Sequence, residues 1–185
     1  MKILAVSGSL RRDSHNTKLL LAAAELLPAD LDFELWDGLK AVPPYDEDND
    51  VEEAPAAVAQ LRDAIAGADA VLFATPEYNH SVPGQLKNAL DWASRPLATS
   101  PLRNKPVAVV GVSAGAFGAV WAQAELRKVL AATGARVVEG DVAVGHAHER
   151  FGADGRLEDD DLRQQLADVV AELVVSVRAR ELLAA

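Results

Sequence analysis

The feature that most narrows the possible folds is an alternation. Short apolar runs each end in a loop of small or polar residues, and each loop opens into a helical pattern. Residues 3–6 (Ile-Leu-Ala-Val), 71–74 (Val-Leu-Phe-Ala) and 106–112 are continuous apolar runs, as strands buried on both faces require, while 31–36 alternates. Helical patterns follow at about 16–27, ended by Pro28, and at 54–67, 83–94 and 119–133, with Gly67 and Gly134 as stops. Val137 and Val138 begin a short fifth strand, extended or bulged through Val142 to Val144. The acids of 158–161 then lead a last amphipathic helix to about Leu183. This order predicts an α/β doubly wound parallel sheet with helices on both faces, in one domain spanning 1–185. Ligands of such sheets bind at the carboxyl ends of strands, where the strand order reverses.

Composition removes several functions. The chain has no cysteine, so disulfides, cysteine nucleophiles and thiolate metal sites are excluded and a cytoplasmic setting is expected. A net charge of −10 argues against nucleic acid or an anionic membrane as partner. No apolar run approaches the ~18 residues of a membrane span, and the N-terminus enters a strand with no signal-peptide pattern. An anionic cofactor would need a local positive site.

Three loops leave strand ends with polar or glycine-rich sequence: 7–16, 75–83 and 112–118. In the first, Ser7-Gly8-Ser9 precede Arg11, Arg12, Ser14, Asn16 and Thr17. Unpaired amides at the following helix start, with these donors, read as a phosphate cradle, or as an ordinary joint capped by Ser14 or Asn16. The second, Thr75-Pro-Glu-Tyr-Asn-His-Ser-Val-Pro83, is stiffened by two prolines. It can present backbone donors and acceptors to a flat heteroaromatic ring, with Tyr78 packed along it, or simply cap the next helix through Ser81.

The third loop holds a competing reading. Gly111-Val-Ser113-Ala-Gly115 matches a nucleophile elbow between strand and helix, and Asp141 with His146 or His148 follow in α/β-hydrolase order. A serine hydrolase using Ser113 therefore stays open, although no oxyanion segment of the HGGG type is present. Asp46, Asp48 and Asp50 have the first spacings of a calcium loop, but Val51 and Ala57 occupy its glycine and glutamate positions. His146 and His148 lack an obvious third metal ligand, so no metal is expected.

The segments Gly8-Ser-Leu-Arg-Arg-Asp-Ser-His-Asn16, Pro76-Glu-Tyr-Asn-His-Ser-Val-Pro-Gly-Gln-Leu-Lys-Asn-Ala-Leu-Asp-Trp92 and Lys105-Pro-Val-Ala-Val-Val-Gly-Val-Ser-Ala-Gly115, in this order and spacing, resemble the NADPH-dependent FMN reductase family. This flavodoxin-like group includes quinone, chromate and azo-dye reductases, and the likeness runs from about Lys2 to His148. The resemblance implies a five-stranded sheet in the order 2-1-3-4-5 with FMN at the switch point, and NAD(P)H as co-substrate. It implies Ser9, Arg11, Ser14, Asn16 and Thr17 around the FMN phosphate. Pro76, Glu77, Tyr78 and Asn79 would line the isoalloxazine, with Ser113 and Gly115 closing its other side. No side chain is required as catalytic acid or base, because the flavin N5 carries the chemistry. The resemblance further implies a small-molecule electron acceptor (a quinone, a flavin, an azo compound or a metal oxyanion) and a homodimer or homotetramer. The loop 43–45 and the helix ending in Trp92 are its expected contacts. A non-enzymatic FMN electron-transfer protein is the remaining alternative.

Overall fold

The computed structural model describes residues 1–51 and 53–184; Glu52, in the acidic run, lies outside them. Its centre is a parallel sheet of β1 (Lys2–Ser7), β2 (Asp32–Trp36), β3 (Ala70–Thr75) and β4 (Pro106–Val112), followed by β5 (Arg136–Val137) and β6 (Ala143–Val144). The spatial order is β2-β1-β3-β4-β5, with β6 also on β4. The expected fifth strand is thus two short pieces. Pro106 and Val107 pair with Arg136 and Val137, and Gly111 and Val112 pair with Ala143 and Val144. The chain leaves the sheet between them at Gly140, whose φ of +123° suits glycine and few other residues.

Strand residues alternate strictly between two cores. Ile3, Ala5, Leu72, Val110 and Val112 pack under α1 (His15–Leu26) and α5 (Asp160–Ala184). Leu4, Val6, Val71, Phe73, Val107 and Val109 pack under α2 (Ala56–Ala66), α3 (Gly84–Ala93) and α4 (Val120–Ala132). Helix α5 buries Leu166, Val169, Val170, Leu173, Val174 and Val177, the i, i+3/i+4, i+7 stripe of an amphipathic helix. No helix among the described residues is long and apolar enough to cross a membrane.

Two boundaries shift for local reasons. Ser14, not Asn16, is the N-cap of α1: its side chain accepts from the Thr17 amide at 3.3 Å. Pro83 stands just before α3 rather than within its first turn. Trp92 proves to be an internal anchor, fully buried. Its indole N–H donates to the Pro43 carbonyl at 2.9 Å, and Tyr45 meets it edge-on with ring centroids 4.9 Å apart. The Trp92 side chain itself is therefore engaged within the chain.

Candidate functional site

Parallel register places the ends of β1, β3 and β4 side by side: Ser7 opposes Ala74, and Thr75 opposes Gly111. The three loops leaving these ends enclose a cavity of about 420 Å³, within the range of small-molecule sites.

The first loop turns at Gly8, whose amide donates to the Ala74 carbonyl at 2.7 Å. A Cβ there would come within 2.8 Å of Leu86 Cδ2, so a side chain would have to displace the buried Leu86. Asn16, 4% exposed, reads the backbone of Val112 in both directions. Its Nδ2 donates to the carbonyl and its Oδ1 accepts from the amide, each at 3.1 Å. This clamp fixes the start of α1 to the end of β4. It also engages the Asn16 side chain, so what Asn16 offers the cavity is its backbone amide. Like that of His15, this amide has no acceptor within the helix. Arg11 is exposed beside them with no acidic partner among the described residues.

The second loop is a tight hairpin. Tyr78 and Ser81 exchange backbone bonds of 3.2 and 3.1 Å around Asn79 and His80, both left-handed (φ +53° and +59°) as a type I′ turn demands. Two carboxylates tie it to α4. Glu77 Oε2 accepts from the amides of Trp121 and Ala122 at 3.0 and 3.1 Å. It thereby caps a helix whose own N-cap, Ala119, has no side-chain acceptor. Glu125 Oε2 accepts from the Ser81 hydroxyl at 2.5 Å and the Val82 amide at 3.3 Å. These bonds hold the Glu125 carboxyl below its ordinary pKa.

The third loop is fixed by residues 142–147. The Ser113 amide donates to Val144 O, while the amides of His146 and Ala147 donate to Gly115 O and Ser113 O. Gly118, at φ +59°, has no room for a Cβ, which would fall 2.3 Å from the Ala143 carbonyl carbon. This packing carries His148 to the cavity wall, which His15 also lines. His15 stacks near Phe151, with centroids 5.5 Å apart, and its Nδ1 is buried with no partner. Desolvation, then the nearby Lys18, lowers its pKa below the ordinary histidine value.

The cavity therefore has one end rich in free amides and cationic charge. The other is walled by Pro76, Tyr78 and the backbone of 113–115. Among the described residues, no group of three metal-binding side chains is present. Such a site suits an anionic, partly flat ligand.

The family model for NADPH-dependent FMN reductases matches residues 1–149. This chain belongs to that family. An NAD(P)H-dependent FMN reductase of Pseudomonas aeruginosa is 42% identical over 179 residues, 96% of each chain. A 2-hydroxy-1,4-benzoquinone reductase of a Burkholderia species is 40% identical over 97% of this chain and 98% of its own. Among solved structures, the flavoenzyme FerB, an NAD(P)H:(acceptor) oxidoreductase from Paracoccus denitrificans, superposes with a TM-score of 0.83 at 36% identity, covering 96% and 97% of the two chains. The chain is accordingly an FMN-dependent NAD(P)H oxidoreductase with the flavodoxin-like fold.

Against the family's pattern, the cavity gathers Ser9, Arg11, Ser14, Asn16, Pro76, Glu77, Tyr78, Ser113 and Gly115. Two expected residues lie elsewhere. Thr17 faces an adjoining cavity, and Asn79 stands at the exposed hairpin tip. His15, Ala147 and His148 line the site without having been expected there. His15 lies inside the first motif and was legible as a neighbour of the cradle, whereas nothing local to 146–148 marks it. The hydrolase alternative lacks its geometry. The Ser113 hydroxyl donates to Gly115 O at 3.3 Å, and Asp141 pairs with Arg127 at 2.8 Å. The acidic run is likewise internally engaged: Asp46 accepts from the Asp48 amide and from Asn49, and Asp50 pairs with Arg62.

The residues present fit FMN by their chemistry. The open amides of the first turn of α1 and Arg11 suit a phosphate dianion, and the stiff hairpin with the 113–115 backbone suits a flat ring with polar edges.

Proposed function

We propose that the chain is a quinone reductase. In this reading Arg11, Ser9, Ser14 and the amides at the start of α1 hold the FMN phosphate. Pro76, Glu77 and Tyr78 flank the ring on one side, and Ser113 with Gly115 on the other. Bound FMN supplies a two-electron carrier, so that NAD(P)H plus a quinone and a proton become NAD(P)⁺ and a hydroquinone. The protein orients the partners and keeps one face open to donor and acceptor in turn. Backbone amides of the rigid loops stabilise negative charge growing at the ring's polar edge. Glu77 acts indirectly, by fixing the hairpin against α4.

The observation that carries this reading is convergence. Residues from three loops, spread along the chain from Ser9 to Gly115, meet on one cavity with an anion-binding end and a flat-walled end. The quinone reductase names among the relatives support the acceptor class. The visible spectrum of the purified protein tests it: a yellow protein, bleached by NADPH without oxygen and recoloured by benzoquinone, is expected. A protein that neither carries nor takes up FMN, or a bleached one that quinone leaves unchanged, overturns it. We also infer a homodimer or homotetramer in the cytoplasm. The exposed Phe117, Val120 and Trp121 beside the hairpin support association, and the mass in solution by light scattering tests it.

A further inference from the structure

Behind Ser9 and Arg11, away from the main cavity, lies a second one of about 260 Å³. It is bounded by the first loop and by the turn Gly38–Ala41 after β2. Arg11, Arg12 and Lys40 line it, all three exposed and none paired with an acid among the described residues. Lys2, Lys18, Arg62 and Lys87 each pair with a carboxylate. Asp37 is the one acid on the wall, so with Arg11 assigned to the FMN phosphate, Arg12 and Lys40 leave a local excess of one positive charge. The rest of the wall includes the Trp36 indole, which covers Gly38 so closely that a Cβ there would lie 2.5 Å from the ring. The turn carrying Lys40 is thus seated directly on an aromatic surface. Thr17, the phosphate-loop residue missing from the main cavity, also faces this one.

We propose that this cavity binds the phosphomonoester on the adenosine ribose of NADPH, its 2′-phosphate, and so makes the enzyme prefer NADPH to NADH. The proposal rests on the oxidoreductase reading above and adds the determinant of its electron donor. Arg12 and Lys40, the two cations not assigned to the FMN phosphate, suit a dianionic phosphate better than the single hydroxyl that NADH presents there. The half-buried indole suits an adenine ring, which inorganic phosphate lacks. A path to the flavin cavity exists. A third hollow, lined by Leu10, Arg11, Tyr78 and Pro83, shares Leu10 and Arg11 with the cationic cavity, and Arg11 and Tyr78 with the main one. A dinucleotide whose nicotinamide lies near Tyr78 therefore has continuous surface along Leu10 and Arg11 to Arg12 and Lys40.

The test compares 2′,5′-ADP with 5′-AMP, which differ only by the 2′-phosphate, and with inorganic phosphate. Each is titrated calorimetrically into the flavin-loaded and the flavin-free protein at low salt. The double variant Arg12→Ala/Lys40→Ala is measured beside the wild type. The expected result is binding of 2′,5′-ADP about ten- to a hundred-fold tighter than 5′-AMP, with inorganic phosphate weakest and the difference abolished in the double variant. In turnover, the variant raises KM for NADPH by a similar factor and leaves KM for NADH and the affinity for FMN within about two-fold. Equal affinities for 2′,5′-ADP and 5′-AMP, or equal shifts in KM for both donors, overturn the proposal. So does phosphate binding as tightly as 2′,5′-ADP, which would make the cavity a general anion site. Loss of FMN affinity in the variant would assign the cavity to the flavin instead, leaving the oxidoreductase reading intact. A wild-type protein that takes up no FMN fails the oxidoreductase reading, and titration of the flavin-free chain then judges the cavity alone.

Discussion

The first loop and the hairpin after β3 both leave strand ends and both wall the cavity, yet they are held by opposite means. The hairpin is fixed by side-chain bonds to α4: Glu77 grips the N-terminus of that helix, and Glu125 reaches back from it to Ser81 and Val82. The first loop has one such tie, Asn16 on Val112, placed beyond its end. Between Ser9 and Asp13 its own contacts are sparse, and its cations point outward. The flat-ring side is thus rigid before any ligand arrives, while the anion side keeps open amides and unpaired charge. Pre-organisation matters most where a ring must be aligned for hydride transfer, and exposed donors matter most where a phosphate must be captured.

The comparison can be broken at several points. Asn16→Ala removes both partners of the Val112 backbone, and two buried groups left unpaired should cost about 2–4 kcal/mol of stability in urea unfolding. Arg11→Ala should leave urea stability unchanged and weaken FMN ten- to a hundred-fold, about 1.5–3 kcal/mol of a charge-assisted phosphate contact, read by flavin fluorescence quenching. If Arg11→Ala destabilised the fold as much as Asn16→Ala does, the first loop would be structural and the contrast would fail. Glu77→Ala should cost about 0.5–2 kcal/mol through the uncapped α4, and should lower kcat more than FMN affinity because the hairpin loses its anchor.

The smallest effects are in pH, and they separate the two regions by window. Burial disfavours charged His15, so its folded pKa lies below the ordinary value of 6.5. The unfolded chain then binds the proton more readily, and stability is intact above 6.5 and falls as pH drops from there toward the depressed folded value. His15→Phe keeps a ring beside Phe151 and should flatten this slope in melting curves between pH 8 and 5. Glu125 has the opposite character, with a folded pKa below the ordinary 4.5. Its contribution is present above 4.5 and is lost as pH falls through the depressed value, and Glu125→Gln should remove that acid limb. The group is almost fully exposed, so solvent and salt keep the effect small.

Much of the architecture is readable from local pattern. A run such as Val71-Leu72-Phe73-Ala74 is apolar on both faces because helices cover both, and that signal needs no knowledge of its neighbours. Gly8 and Ser14 are legible in the same way, since a tight turn and a helix cap are made within a few residues. The serine-centred Gly111-Val-Ser113-Ala-Gly115 shows the limit. Its spacing matches a nucleophile elbow, yet in three dimensions the Ser113 hydroxyl donates to the Gly115 carbonyl. The fifth strand shows another limit, because pairing with both ends of β4 is decided by β4 rather than by residues 136–144.

By itself, the sequence determined the alternation of strand and helix, the strand ends that carry function, and the residue types offered to an anionic cofactor. Periodicity and turn chemistry act over a handful of residues, and those are printed in the chain. Only the tertiary structure decided how the side chains are used. Asn16 serves a backbone ninety-six positions away, Glu77 caps a helix it does not belong to, and His148 lines the same cavity as His15. Such roles arise from which loops the sheet brings together, and a hydrogen bond exists only once both of its partners have been placed.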